Sequence, residues 1–251
     1  MPWSRREAVE LFHLAFVAEL GTKLDRALYA IKGGCNLRFY FGSVRYSEDL
    51  DLDVQKTAPD TLRRKVDQLL AGRSLTLTLG AHGIGLTAVT RPKQTDTTQR
   101  WKLALTVDGE SAHTKIEFSR RGLAPGVEFG PADRSLLGHY GLSPLLASHY
   151  GRQAAFEQKV GALLGRSETQ ARDVFDLHLL VAGSAVVDAS QVDTRSRRAA
   201  AERALSVDFR AFKSQVLAYL PPERQDDYGS RELWEQMVLQ VVAVLEAEHA
   251  P

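Results

Sequence analysis

The residues best suited to chemistry lie in the run Asp49-Leu50-Asp51-Leu52-Asp53-Val54, where acidic and apolar side chains alternate strictly. Successive side chains of a strand point to opposite faces, so Asp49, Asp51 and Asp53 would share one face and Leu50, Leu52 and Val54 the other. Two carboxylates at i and i+2 stand close enough to share one or two divalent cations, and hard oxygen donors suit magnesium. Taken alone, the alternation also suits a solvated edge strand whose acids discourage aggregation, although three aligned acids repel one another. Upstream, Leu28 to Ile31 reads as a short strand that enters a tight glycine turn at Lys32-Gly33-Gly34. Glycine has no side chain to block approach, so such a turn can lay bare N–H groups against a triphosphate. Lys32 and Arg45 would add positive charge, and the seven histidines have no metal-ligand spacing.

The elements that must position these groups follow from periodicity. Ser4 and Glu7 form a capping box, and Val9, Phe12, Phe16 and Leu20 follow at helical spacing on one face until Gly21 stops the helix. Pro59 to Ala71 reads as a helix; Ser74 to Leu79, Trp101 to Val107 and Lys115 to Ser119 read as strands. The first half is therefore mixed α and β. From Leu142 the pattern turns helical, with a start at Ser143-Pro144 and helices through Phe156 to Leu164 and Glu168 to Leu180. Pro221-Pro222 and the polar stretch to Gly229 separate a further helix from the last one, Glu232 to Glu248. The expected class is α+β, with an α/β core over residues 1–130 and a helical lobe over 131–251, the boundary falling near Gly122 to Gly141. A composition of 44% hydrophobic and 25% charged residues is that of an ordinary folded protein. A net charge of +1 does not by itself call for a nucleic-acid partner. One cysteine, Cys35, excludes an internal disulfide and a cysteine zinc cluster. With no signal-peptide core in Met1 to Glu10 and no apolar run of about 20 residues, a cytoplasmic protein without a membrane partner is expected.

Lys32-Gly33-Gly34-Cys35-Asn36-Leu37 followed by Arg45-Tyr46-Ser47-Glu48-Asp49-Leu50-Asp51-Leu52 resembles the "GG, then R-x-S-x-D-L-D" signature of AbiEii-type, MenT-like nucleotidyltransferase toxins. Further on, Glu157-Gln158-Lys159-Val160-Gly161-Ala162-Leu163, then Arg166, then Ala171-Arg172-Asp173-Val174-Phe175-Asp176-Leu177 is similar to that family's second block. The resemblance covers Ile31 to Leu180 in patches. Cys35 stands where many members of the superfold carry serine, and the gap from Gly34 to Asp49 is slightly longer than usual.

The resemblance implies a DNA polymerase beta-like nucleotidyltransferase core, a mixed sheet with flanking helices, and a helical lobe that completes the active-site cleft. It implies that Asp49 and Asp51 hold Mg2+ or Mn2+, that Gly33, Gly34, Arg45, Ser47 and Lys159 bind the nucleoside triphosphate, and that Asp173 is the downstream acid. Asp176 is the near alternative to Asp173; without the motif, Asp176 would read as the i+4 partner of Arg172. Glu117, on the polar face of its strand, is a candidate third metal ligand, with a surface pairing to Lys115 or Arg120 as the structural alternative. Asp53 is the less favoured ligand. The implied acceptor is RNA, above all the 3′ end of tRNA, and the implied protein partner is a cognate antitoxin. Arg63-Arg64-Lys65, Arg120-Arg121 and Arg195 with Arg197-Arg198 are candidate phosphate contacts. The same chemistry on an aminoglycoside-like small molecule or a protein hydroxyl is a rival reading, and an inactive fold that binds RNA or a partner is another.

Overall fold

A computed structural model describes residues 3–183 and 187–247. The chain divides into two compact units, one made of the chain up to Tyr40 with Tyr46–Tyr150, the other of Phe41–Arg45 with the chain from Gly151 onward.

The first unit opens with α1 (Arg5–Lys23), capped as expected by Ser4 and Glu7. It runs past Gly21 and is buried without interruption from Ala8 to Val17, so it is a central helix enclosed on all sides and not the one-faced helix the spacing suggested. β1 (Tyr29–Lys32) leads directly into α2 (Gly33–Tyr40), then β2 (Asp49–Val54), α3 (Pro59–Leu70) and α4 (Arg73–Gly80). α4 replaces the strand expected at Ser74 to Leu79. Leu75 and Leu79 stand at i and i+4 and are buried while Leu77 is exposed, so a leucine at every second place satisfied a helix face. A long three-stranded meander follows, β3 (Ile84–Gln94), β4 (Thr98–Val107) and β5 (Glu110–Ser119). β3 has no counterpart in the sequence reading because it is an edge strand, mostly exposed and rich in polar residues.

β6 (Val127–Pro131), α5 (Arg134–His139) and β7 (Leu146–Tyr150) complete the unit. The sheet order is β3-β4-β5-β2-β1-β7-β6, parallel at β5/β2 and β1/β7 and antiparallel elsewhere. One expectation changes here. No helix starts at Ser143-Pro144, because a residue before proline favours extended backbone and β7 slots in beside β1, pairing Ile31 with His149. The first compact unit accordingly runs to Tyr150. Leu50, Leu52, Ile116, Phe118 and Trp101 fill the core between the sheet and the helices, which leaves the other sheet face to the acids of β2.

The second unit is helical: α6 (Arg152–Gly165), α7 (Ala171–Val181), α8 (Thr194–Leu205), α9 (Phe209–Gln215), α10 (Pro222–Tyr228) and α11 (Arg231–Glu246). Its core centres on Phe212 stacked on Trp234 at 4.5 Å, with Phe175 beside Phe212. The stretch after Pro221 expected as a separator is α10, with proline in its first turn. The expected end of the last helix at Glu248 lies outside the described residues. Among the described residues no helix is long and apolar enough to cross a membrane.

Candidate active site

β2 presents its acids as the alternation requires, and the register shows what surrounds them. Lys32 of β1 lies opposite Asp51, and on the other side Lys115 pairs with Asp49, Glu117 with Asp51 and Ser119 with Asp53. Arg100 of β4 lies next in line beside Glu117. Cross-strand neighbours on one face lie within side-chain reach, and here they form a checkerboard of charge. Lys115 Nζ stands 2.8 Å from Asp49, Arg100 2.5 Å from Glu117, and Lys32 2.5 Å from Asp53. Tyr150 also donates its hydroxyl to Asp53 at 2.7 Å. Asp53 is thus held on both oxygens, and Glu117 pairs with Arg100, not with Lys115 or Arg120.

Asp51 differs from its neighbours: its carboxylate, partly buried, has no hydrogen bond or ion pair among the described residues. Burial raises its carboxyl above the usual carboxylate range, and the charges of Asp49 and Glu117 push the same way against Lys115 and Lys32. Burial would lower the Lys115 ammonium, but its hydrogen bond to Asp49 and the three acids around it hold it above its ordinary value. Among the described residues no three His, Cys, Asp or Glu side chains converge as a ready-made metal cluster. Lys115 and Arg100 draw Asp49 and Glu117 toward themselves.

The glycine pair is the first turn of α2 and not a free-standing turn. Gly33 has φ +67°, and a Cβ there would stand 3.2 Å from Asp51 Oδ2. The helix start therefore lies against the unpartnered carboxylate, with N–H groups that have no intrahelical acceptor. Gly33→Ala should cost about 1–2 kcal/mol from the left-handed backbone alone, read as a lower midpoint in urea, and should displace Asp51. An unchanged midpoint would contradict the strain.

Cys35 is buried and faces β2. Its thiol lies 3.2 Å from the Asp49 carbonyl, which also accepts from the Ser47 hydroxyl at 2.9 Å. His13 of α1 lies 3.5 Å from Cys35 Sγ through Nδ1 and 2.7 Å from Thr114 Oγ1 through Nε2. Burial pushes the His13 imidazole down to about 3 from an ordinary 6.5. A folded-state value below the unfolded one leaves stability intact above pH 6.5 and removes it as pH falls toward 3, because only the unfolded chain then takes up the proton. At about 1.4 kcal/mol per pH unit, moving from pH 7 to 5 should cost about 2 kcal/mol through this group. Urea titrations of His13→Gln should show a shallower loss; equal losses would remove His13 as the cause.

The other expected residues lie in the helical unit. Lys159 of α6 stands 2.6 Å from Asp176 and 3.4 Å from Asp173, both on α7 and both fully buried. Arg166 binds Asp173 at 2.6 Å. Arg45, expected as a cation for triphosphate, is itself buried and pairs with Asp176 at 3.2 Å. Asp176 therefore pairs with Arg45 and Lys159 and not with Arg172. Several basic residues are also engaged: Arg120 donates to the carbonyls of Asp96 and Thr57, and Arg197 to those of Leu245 and Ala247. The sequence reading offered Lys115 as a partner of Glu117 but missed it as the partner of Asp49, and missed Arg100 altogether; their places two residues apart from the next polar residue on β5 and β4 are the signal that points to them.

The family model described as "Nucleotidyl transferase AbiEii toxin, Type IV TA system" matches residues 15–248. The chain belongs to the AbiEii family. An AbiEii protein of this description is a nucleotidyltransferase toxin of a type IV toxin–antitoxin system. Among solved structures, this AbiEii chain is similar to the nucleotidyltransferase toxin MenT4 of Mycobacterium tuberculosis, with 19% identity, a TM-score of 0.69, and 97% of this chain and 84% of that one covered. It is also similar to JHP933 of Helicobacter pylori, with 19% identity, a TM-score of 0.59, and 98% and 92% covered. At that identity the likeness speaks for the fold. No curated protein matches.

Proposed function

We propose that this AbiEii-family toxin moves a nucleoside monophosphate from a nucleoside triphosphate to a hydroxyl of an RNA acceptor, the 3′ end of tRNA, with Mg2+ or Mn2+ held by Asp49 and Asp51. The observation that carries the reading is the Asp51 carboxylate, unpartnered beside Asp49 and against the N-terminus of α2. The donor set fits a hard cation: all ligands are oxygens, one acid has no protein partner to surrender, and magnesium retains waters, so two carboxylates suffice. Glu117, in register with Asp51, is the proposed third carboxylate. A cation there would neutralise triphosphate charge and favour the acceptor alkoxide.

The chain's own residues do the rest. The N–H groups of Gly33 and Gly34 receive phosphate oxygens at the positive end of α2. Ser47 fixes the Asp49 carbonyl and stands among the nucleotide-binding residues. Lys159 is the proposed phosphate contact from the helical unit, with Asp173 and Asp176 orienting its ammonium. In the reaction the acceptor oxygen bonds to the α-phosphorus, the α–β bridging bond breaks, and pyrophosphate and the hydroxyl proton leave. Arg45 is proposed to act through Asp176, given its burial. Exposed Arg64, Arg121 and Arg198 support an RNA acceptor, and a cognate antitoxin is the partner that the family description supports.

Purified protein given labelled nucleoside triphosphates, Mg2+ and total RNA should transfer label to RNA of tRNA size, and Lys159→Ala should stop it. Growth arrest on induction should disappear with the same variant. Label that requires an added aminoglycoside or protein would replace the RNA acceptor; no triphosphate consumed with any acceptor would leave a binding module.

A further inference from the structure

The buried contacts behind β2 have one arrangement of protons that satisfies them. Thr114 Oγ1 lies 2.7 Å from the Glu48 carbonyl, which can only accept, so the single hydroxyl proton goes there. The same oxygen then accepts from His13 Nε2 at 2.7 Å, which puts the imidazole proton on Nε2 and leaves Nδ1 bare. A bare Nδ1 is an acceptor for the Cys35 thiol, whose other acceptor is the Asp49 carbonyl. That carbonyl is not orphaned when the thiol turns away, since Ser47 also donates to it. The Glu48 carbonyl is therefore fixed by Thr114, which His13 of the central helix holds in turn, and the next carbonyl, of Asp49, is held by Ser47 with the Cys35 thiol beside it. Their peptide planes set the direction in which the β2 side chains leave the strand.

We propose that His13 is a positioning residue for the carboxylates of β2, acting through Thr114 to aim Asp49 and Asp51 at a shared cation. The inference rests on the reading of Asp49 and Asp51 as a metal pair. Groups that orient metal ligands from behind typically change metal affinity 10- to 100-fold when removed. Thr114 carries most of the effect, because it alone touches both His13 and the Glu48 carbonyl.

The test is Mn2+ binding to the full chain, followed by the electron paramagnetic resonance signal of free Mn2+, with thermal unfolding measured in parallel. Wild type should bind and Asp51→Asn should lose binding. Thr114→Val and His13→Met, cooperative in unfolding, should bind roughly 10-fold more weakly, and Thr114→Ser, which keeps the hydroxyl, should match wild type. Wild-type affinity in folded Thr114→Val overturns the proposal, and if that variant does not fold, His13→Met decides by the same criterion. Loss of the fold in both would make the cluster a requirement of folding and also overturns it. Equal Mn2+ binding in wild type and Asp51→Asn would instead defeat the metal pair itself, and the positioning role with it.

Discussion

On its proposed role as a cation ligand, Asp51→Asn is expected to lower nucleotidyl transfer roughly 1,000-fold, since losing a ligand to a charge-stabilising cation is worth several kcal/mol and each 1.36 kcal/mol is a factor of ten. The same change should leave the fold as stable as wild type or more so. Asp51 gives up no hydrogen bond or ion pair, and its charge is disfavoured by burial and by Asp49 and Glu117. Two residues along the same strand the balance reverses. Asp53→Asn removes a partner from Lys32 at 2.5 Å and from the Tyr150 hydroxyl at 2.7 Å, so it should lower the unfolding midpoint. A residue that is costly to stability and needed for activity is the signature of a site held ready for an absent charge. The two variants are compared by urea unfolding and by label transfer from a nucleoside triphosphate. Transfer surviving in Asp51→Asn, or a loss of stability there larger than in Asp53→Asn, would refute this division of roles.

The acids of β2 were legible because one side of the strand is core and the other is not: Leu50, Leu52 and Val54 are buried, and a period of two is the only pattern that achieves this. Gly33-Gly34 was legible as a special backbone position but not as the start of a helix, since a positive φ at Gly33 serves either turn equally. The leucines of α4 misled for a related reason: over eight residues, alternation and i, i+4 spacing both place Leu75 and Leu79 inside and differ only at Leu77, which is exposed. Position along the chain also hid β7. β7 belongs to the sheet only because β1 has an open flank for it, a fact about pairing at a separation of over a hundred residues that no local window holds.

The charges around the acids were harder to read than the acids themselves. Lys115 and Glu117 alternate onto one face, which the sequence shows, but their facing Asp49 and Asp51 depends on a parallel register between β5 and β2 that loops alone do not dictate. Arg45 is a second case. As a cation four residues before Asp49 it invites a role at the phosphates, and the structure buries it with Nη2 against both oxygens of Asp176. Motif spacing records that a residue is needed without recording whether it touches the substrate or holds something that does.

Asp176 is such a support, and its removal should be the costliest single change in the helical unit. The carboxylate is fully buried, with Lys159 at 2.6 Å and Arg45 at 3.2 Å. Burial would raise its carboxyl, but the charges of Arg45 and Lys159 outweigh that and hold it below its ordinary value. A depressed folded-state value gives stability that is present above the unfolded value and lost as pH falls through the folded one. Asp176→Asn should therefore destabilise at neutral pH by about 3–5 kcal/mol, because it removes the charge of a fully buried carboxylate that pairs with both Arg45 and Lys159. Asp173→Asn should cost less: Lys159 keeps Asp176, and Arg166, with a side chain 38% exposed, can return to water. The decisive measurement is the pair Asp176→Leu and Arg45→Met/Asp176→Leu by urea unfolding. If the stranded guanidinium is the cause, removing it recovers most of the loss; a double variant no more stable than Asp176→Leu would assign the cost to packing around α7 instead.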